Sequence, residues 1–94
     1  MSKISKDAAK AFLNNRKFKR SNTEVKVFEN KSYLYLFGNN IAIRENNETF
    51  INHCNWITRT TQSRLLALGA RIRKCKDIFV FNEQFKMEKI WYKI

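Results

Sequence analysis

Between Glu24 and Asn52 the apolar residues recur at a period of two, and asparagine breaks the runs in a chain with no proline and only two glycines. A period of two sends alternate side chains to opposite faces of a strand. Asparagine tolerates left-handed backbone and bonds its own main chain, so it does the turn work that glycine and proline do elsewhere. Val25 and Val27 alternate about Lys26, and Glu29-Asn30-Lys31-Ser32 reads as a turn. Tyr33 to Phe37 is a continuous β-prone run closed by Gly38-Asn39-Asn40. Ile41 to Arg44 and Thr49 to Asn52 form two further strands about Asn46-Asn47. Short strands joined by such short turns pair as an antiparallel meander.

Helical patterns flank this region. Ala9, Phe12 and Leu13 stand at i, i+3 and i+4, with Ser5 as the expected N-cap and Asp7 in the expected first turn. A second helix follows Thr58 or Thr60 through Leu65, Leu66 and Leu68, and Gly69 ends it. Arg71 to Cys75 and Ile78 to Phe81 read as a hairpin about Lys76-Asp77. Met87, Ile90, Trp91 and Ile94 fall at i, i+3, i+4 and i+7, which predicts a final helix capped by Asn82. The expected fold is α+β, a single domain over residues 1–94. Its order is α-ββββ-α-ββ-α, with helices on one face of an antiparallel β-meander sheet. A chain of 94 residues has room for one core.

The charge is concentrated. Of the net +11, residues 1–20 carry +6 and residues 59–76 another +6, while the segments between and after are close to neutral. The first block contains Arg16, Lys17, Lys19 and Arg20, which also suit a helix C-terminus. The second contains Arg59, Arg64, Arg71, Arg73, Lys74 and Lys76 with no acid. Its arginines match the planar geometry of phosphate and carboxylate. If the fold brings both blocks together, they form the two walls of a cradle for an acidic partner. That partner is nucleic acid, DNA or RNA, or the acidic surface of a host protein.

No catalytic kit stands out. His53 is the only histidine, and Cys54 beside it points to the other face of an extended chain, so the two do not make a nucleophile–base pair. Cys54 and Cys75 lack the paired spacing of a zinc site and read as small buried hydrophobes in a reducing compartment. The eight acids are scattered through turns and helix ends. His53 with Arg64 is the slender basis for a metal-free ribonuclease. The expectation is therefore no enzyme, no metal and no cofactor. No apolar run approaches the roughly 20 residues that span a bilayer, and no signal peptide is recognisable, so the expected location is the cytoplasm.

The densest local pattern is Asn55-Trp56-Ile57-Thr58-Arg59-Thr60-Thr61-Gln62-Ser63-Arg64-Leu65. Thr60 and Thr61 at a positive helix end, flanked by Arg59 and Arg64, can receive a phosphate. The same threonines can simply cap the helix, with Trp56 packed beneath it and Arg64 on a solvated face. Tyr33, Tyr35 and Phe37 share one side of their strand and can stack bases or pack in a core. Trp56, Thr58, Thr60, Thr61, Arg64 and Leu65 resemble a segment of a small uncharacterised domain that recurs in tailed-phage genomes. That domain carries Trp-x-Thr-x-Thr-Thr-x-x-Arg-Leu between β-strands and a basic strand pair. The resemblance extends from Gly38 to Phe81. It departs from the pattern at Asn55 and Leu66, where glycine and asparagine are expected. It implies a phage origin and a strand–helix–strand arrangement, and it carries no activity. Two functions follow as expectations. The first is non-enzymatic nucleic-acid binding through phosphates. The second is counter-defence or host takeover by blocking an acidic host surface.

Overall fold

A computed structural model describes residues 2–94. The elements run α1 (Lys3–Leu13), β1 (Phe18–Arg20), β2 (Thr23–Phe28), β3 (Lys31–Leu36), β4 (Asn39–Glu45), β5 (Glu48–Ile51), α2 (Arg59–Ala67), β6 (Ile72–Cys75), β7 (Ile78–Phe81), β8 (Phe85–Lys86) and β9 (Tyr92–Lys93). The strands form two antiparallel sheets, one ordered β1-β2-β3-β4-β5-β9 and the other β6-β7-β8. The α+β class and the antiparallel meander follow the sequence reading; the division into two sheets does not.

Two-residue loops explain the tight meander. Phe37 and Gly38 both have positive φ, as do Asn46 and Asn47, the backbone that matches strand twist in a hairpin. Ser21, Glu29 and Lys76 each open their loops with φ near +55°. The turn expected at Gly38-Asn39-Asn40 begins one residue earlier, and Asn39 and Asn40 belong to β4. Between Leu34 and Tyr35 the register with β4 shifts, so Ile41 is an extra residue and both it and Ala42 are fully buried.

One face of the larger sheet is covered. Val25, Leu34, Ala42 and Ile51 are in register across four strands and are buried together. Ser5, Ala8, Ala9, Ala11 and Phe12 of α1 are buried, and this helix packs on β1, β2, β3 and α2. The smaller sheet completes the core with Ile72, Phe79 and Phe81, and Phe81 lies 5.1 Å from the Tyr92 ring.

Four local expectations are corrected. Ser2, not Ser5, caps α1, accepting the Ser5 N–H at 3.2 Å, so Asp7 lies beyond the first turn. Arg16 to Arg20 are not a helix end: Phe18–Arg20 is an edge strand paired to Thr23–Val25, so five strands precede α2. A strand this short is defined by its partner and has too few residues for a pattern of its own. The final helix is absent. Only Met87 of its apolar stripe is buried, while Ile90, Trp91 and Ile94 are exposed. The segment's donors go instead to sheet pairing, with Met87 N–H on the Phe79 carbonyl (2.8 Å) and Ile94 N–H on that of Thr49 (2.9 Å). The cysteines are half-buried rather than buried.

Phe79 is fully buried, with its ring centroid 6.0 Å from that of His53. Phe79→Ala should cost about 3–5 kcal/mol in urea denaturation, whereas Ile90→Ala at an exposed position should change stability by less than about 0.5 kcal/mol.

Candidate nucleic-acid interface

The opposite face of the larger sheet has no helix over its register rows. Lys19, Glu24 and Tyr35 occupy one row, and Lys26, Tyr33, Ile43, Phe50 and Lys93 the next. Strand alternation puts them all on the side away from Val25 and Leu34. Tyr33, Tyr35, Ile43 and Phe50 are half-buried, and Phe28 at the end of β2 is 68% exposed. The Lys26 ammonium sits 4.9 Å over the Tyr35 ring. At the β3–β4 turn Phe37 stacks on Trp56, with ring centroids 5.8 Å apart and planes 24° from parallel. Lys19, Asn22, Tyr35, Phe37 and Gly38 border a hollow of about 200 Å³.

Trp56 is therefore no core residue: it is 42% exposed and extends this aromatic surface. The sequence signal for Lys26 was its place between Val25 and Val27, since burying the valines turns the lysine outward. For Trp56 no local signal exists, because its position depends on the left-handed pair Cys54 and Asn55 before it, with φ of 53° and 64°.

Charge is uneven over the face. Lys31 pairs with Glu45 at 3.3 Å and Lys93 pairs with Glu48, which neutralises the β4–β5 end. Lys17, Lys19 and Lys26 line the β1–β2 end around a hollow of about 530 Å³, with Glu24 the one acid beside them.

The two basic blocks do not form one cradle. Arg16, Lys17 and Lys19 are exposed near the β1 edge. Arg20 turns to the helix side and donates to Asp7 at 2.8 Å, with its guanidinium 5.1 Å from the Phe18 ring. Arg73 and Lys74 lie in β6 of the smaller sheet and Arg71 and Lys76 flank that strand, and Phe81 of the same sheet leans on Tyr92 at the other end of the larger sheet's strand order. There Arg73 donates to Glu83 at 3.2 Å and to Cys75 Sγ at 2.8 Å, and the Glu83 contact raises its pKa. Lys74 Nζ is held on the Lys76 carbonyl at 2.6 Å, while Arg71 and Lys76 are exposed.

The threonine–arginine motif is mostly internal. Thr58 caps α2, its Oγ1 accepting the Thr61 N–H at 3.1 Å, and Thr61 is fully buried. Arg59 is exposed and Thr60 half-buried at the helix start. Arg64 is not on a solvated face; it is 6% exposed. Its Nε donates to Thr23 Oγ1 (2.9 Å), Nη1 to Ser5 Oγ (2.7 Å) and Ser2 Oγ (3.3 Å), and Nη2 to Asn22 Oδ1 (3.3 Å). Burial lowers its pKa from the ordinary arginine value.

His53 is buried with both ring nitrogens occupied. Nδ1 accepts the Asn55 N–H at 2.9 Å, so Nε2 carries the proton and donates to the Met87 carbonyl at 3.2 Å. Neither nitrogen is left to serve as a base. Burial pushes the Cys54 thiol up in pKa, with the Lys89 charge pulling against it, and Sγ donates to the Asn40 carbonyl at 3.2 Å. Among the described residues no three His, Cys, Asp or Glu side chains converge as a metal site.

Residues 1–90 match the family model described as Kyanoviridae Gp96 protein. The chain belongs to this phage protein family. No curated protein and no solved structure matches it. The match spans nearly the whole chain, well beyond the Gly38 to Phe81 stretch that carried the sequence resemblance. No helix among the described residues is long and apolar enough to cross a membrane.

The Arg20 hydrogen bond holds the Asp7 carboxyl below its usual pKa of 3.8, burial opposes it, and the Lys3 charge adds to the lowering. A carboxylate with a depressed folded-state pKa stabilises fully above its unfolded pKa and loses that contribution as pH falls through the folded value. Asp7→Asn should therefore reduce the loss of urea midpoint between about pH 7 and about pH 2.5, with its destabilising effect confined to the higher pH.

Proposed function

We propose that this phage protein binds single-stranded nucleic acid, without catalysing a reaction on it, on the open face of its larger sheet. The observation that carries the reading is the row of Tyr33, Tyr35, Phe37 and Trp56 beside Lys19 and Lys26 on a face that no helix covers. Aromatic rings on a sheet offer π-faces to unstacked bases whatever their sequence, and lysines at the margin meet the backbone between them. In this reading Lys17, Lys19 and Lys26 contact phosphates, and Arg16 and Arg59 extend the positive margin. Arg64 and Thr61 play no direct part, since both are buried. Arg71, Arg73, Lys74 and Lys76 add long-range attraction only.

Binding of labelled single strands by fluorescence anisotropy tests this. Tyr33→Ala and Tyr35→Ala should each weaken binding by about 1–3 kcal/mol, roughly five- to 150-fold. With about three phosphates neutralised, log K should fall with log salt at a slope near −2. Duplexes of the same length should bind more weakly than single strands. No measurable binding to single-stranded DNA or RNA at about 50 mM salt would overturn the reading.

A further inference from the structure

Glu24 stands in the middle of the row Lys19, Glu24 and Tyr35 on the open face of the larger sheet, half-buried between a lysine and an aromatic ring. Lys19 lies directly across from it on β1, yet among the described residues no lysine or arginine nitrogen comes within 4.0 Å of the Glu24 carboxylate. Glu45 and Glu48, at the β4–β5 end, are by contrast both paired with lysines. An acid on a surface that receives phosphates repels every strand alike unless its oxygens meet hydrogen-bond donors. The donors that DNA and RNA strands have in common are the N–H groups of the bases.

Glu24, Tyr35, Phe37, Asn22 and Gly38 border one hollow of about 200 Å³, below the roughly 300–1,000 Å³ of pockets for drug-sized ligands and so suited to a single base. Lys26 covers the Tyr35 ring at 4.9 Å but is no part of the hollow's wall, so the cation does not occupy the side of the ring that borders it. The Asn22 wall is fixed, its Oδ1 accepting from Thr23 Oγ1 at 2.7 Å and from Arg64 Nη2 at 3.3 Å. A base stacked on Tyr35 presents its edge to Glu24, the register neighbour of that ring. A carboxylate accepts two parallel N–H bonds where an edge offers adjacent donors. Guanine alone among the common bases does so, through N1–H and the N2 amino group. Adenine and cytosine set an amino group beside a bare ring nitrogen, and uracil and thymine set one N–H between two carbonyls. Each of these leaves a carboxylate oxygen facing a lone pair.

We infer that Glu24 selects guanine: the base stacks in the hollow beside Tyr35 and gives N1–H and N2–H to the two carboxylate oxygens, while Lys19 meets the strand's phosphate. The inference rests on the sheet-face reading and adds base selection to it.

Fluorescence anisotropy of the full chain with four short single-stranded DNAs tests this, each a run of thymines with guanine, adenine, cytosine or thymine at its centre. DNA carries no 2′-hydroxyl, so only the base varies. The guanine strand should bind about fivefold or more tightly than the other three, the discrimination expected of a bidentate base contact. Replacing the guanine by hypoxanthine, which lacks the N2 amino group, should remove most of that advantage with the protein untouched. Glu24→Gln offers one acceptor and one donor in place of two acceptors, so it should lose the guanine preference and favour the adenine strand. Glu24 makes no ion pair in the fold, so this variant keeps its structure. Tyr35→Ala should weaken binding of all four strands and so reports on the sheet face. Equal affinity for the four strands, or a guanine preference that survives Glu24→Gln, would overturn guanine selection and leave the sheet-face reading standing. Hypoxanthine bound as tightly as guanine would overturn the two-bond contact. No binding of any strand would overturn both readings.

Discussion

The Arg64 guanidinium joins parts of the chain that are more than 40 residues apart. From the middle of α2 it reaches the N-terminus of α1 through Ser2 and Ser5, and the β1–β2 turn through Asn22 and Thr23. Ser5 in turn meets Ser63 hydroxyl to hydroxyl at 2.7 Å, so the two helices are latched on adjacent turns. A planar group with five donors can hold these four side chains at once. Replacing it by a shorter or apolar side chain would leave Thr23 and Ser5 buried with a bond missing, which is more costly than never having formed it. The relative placement of both helices and the sheet edge therefore depends on this one side chain.

That placement decides which surfaces remain free. With α1, α2 and the smaller sheet all on one side of the larger sheet, no element among the described residues covers the other. A domain this short can afford a two-layer core but not a third layer. The half-exposed tyrosines and phenylalanines are the result. They pack along and across strands at the spacing of register neighbours, which keeps them ordered while their outer surfaces stay open. The same economy explains the C-terminal segment. It closes the β5 edge by pairing through β9 and supplies Met87 to the core, at the cost of leaving Ile90 and Trp91 in solvent.

Much of the fold was legible from local pattern. Alternation fixed β2 to β5, the apolar stripe and the alanines marked α1, and Thr58 with Gly69 bounded α2, because these signals reside in residues close in sequence. The errors share one cause. Phe18–Arg20, Phe85–Lys86 and Tyr92–Lys93 are strands only because a neighbour offers them an edge, and neither composition nor period records a neighbour. The C-terminal stripe had helical spacing, yet pairing with β5 satisfied its backbone in another way. For the interface, Tyr33, Tyr35 and Phe37 were visible as a shared strand face, while Trp56 was assigned to the core by its size. Its stacking on Phe37 follows from a left-handed turn that composition does not announce.

The sequence by itself determined the α+β class, the antiparallel pairing of β2 to β5, the turns at Asn46-Asn47 and Lys76-Asp77, and the excess positive charge. Each of these follows from side-chain chemistry acting over a few neighbouring residues. Only the tertiary structure decided what each cation does. Arg20 and Arg73 became ion-pair partners, Arg64 a buried latch, and Lys19 and Lys26 margins of an aromatic face. A charge in a sequence has a sign but no surroundings. Its solvation, its partner and the face it occupies are set by contacts between distant segments, and those contacts exist only once the chain has closed on itself.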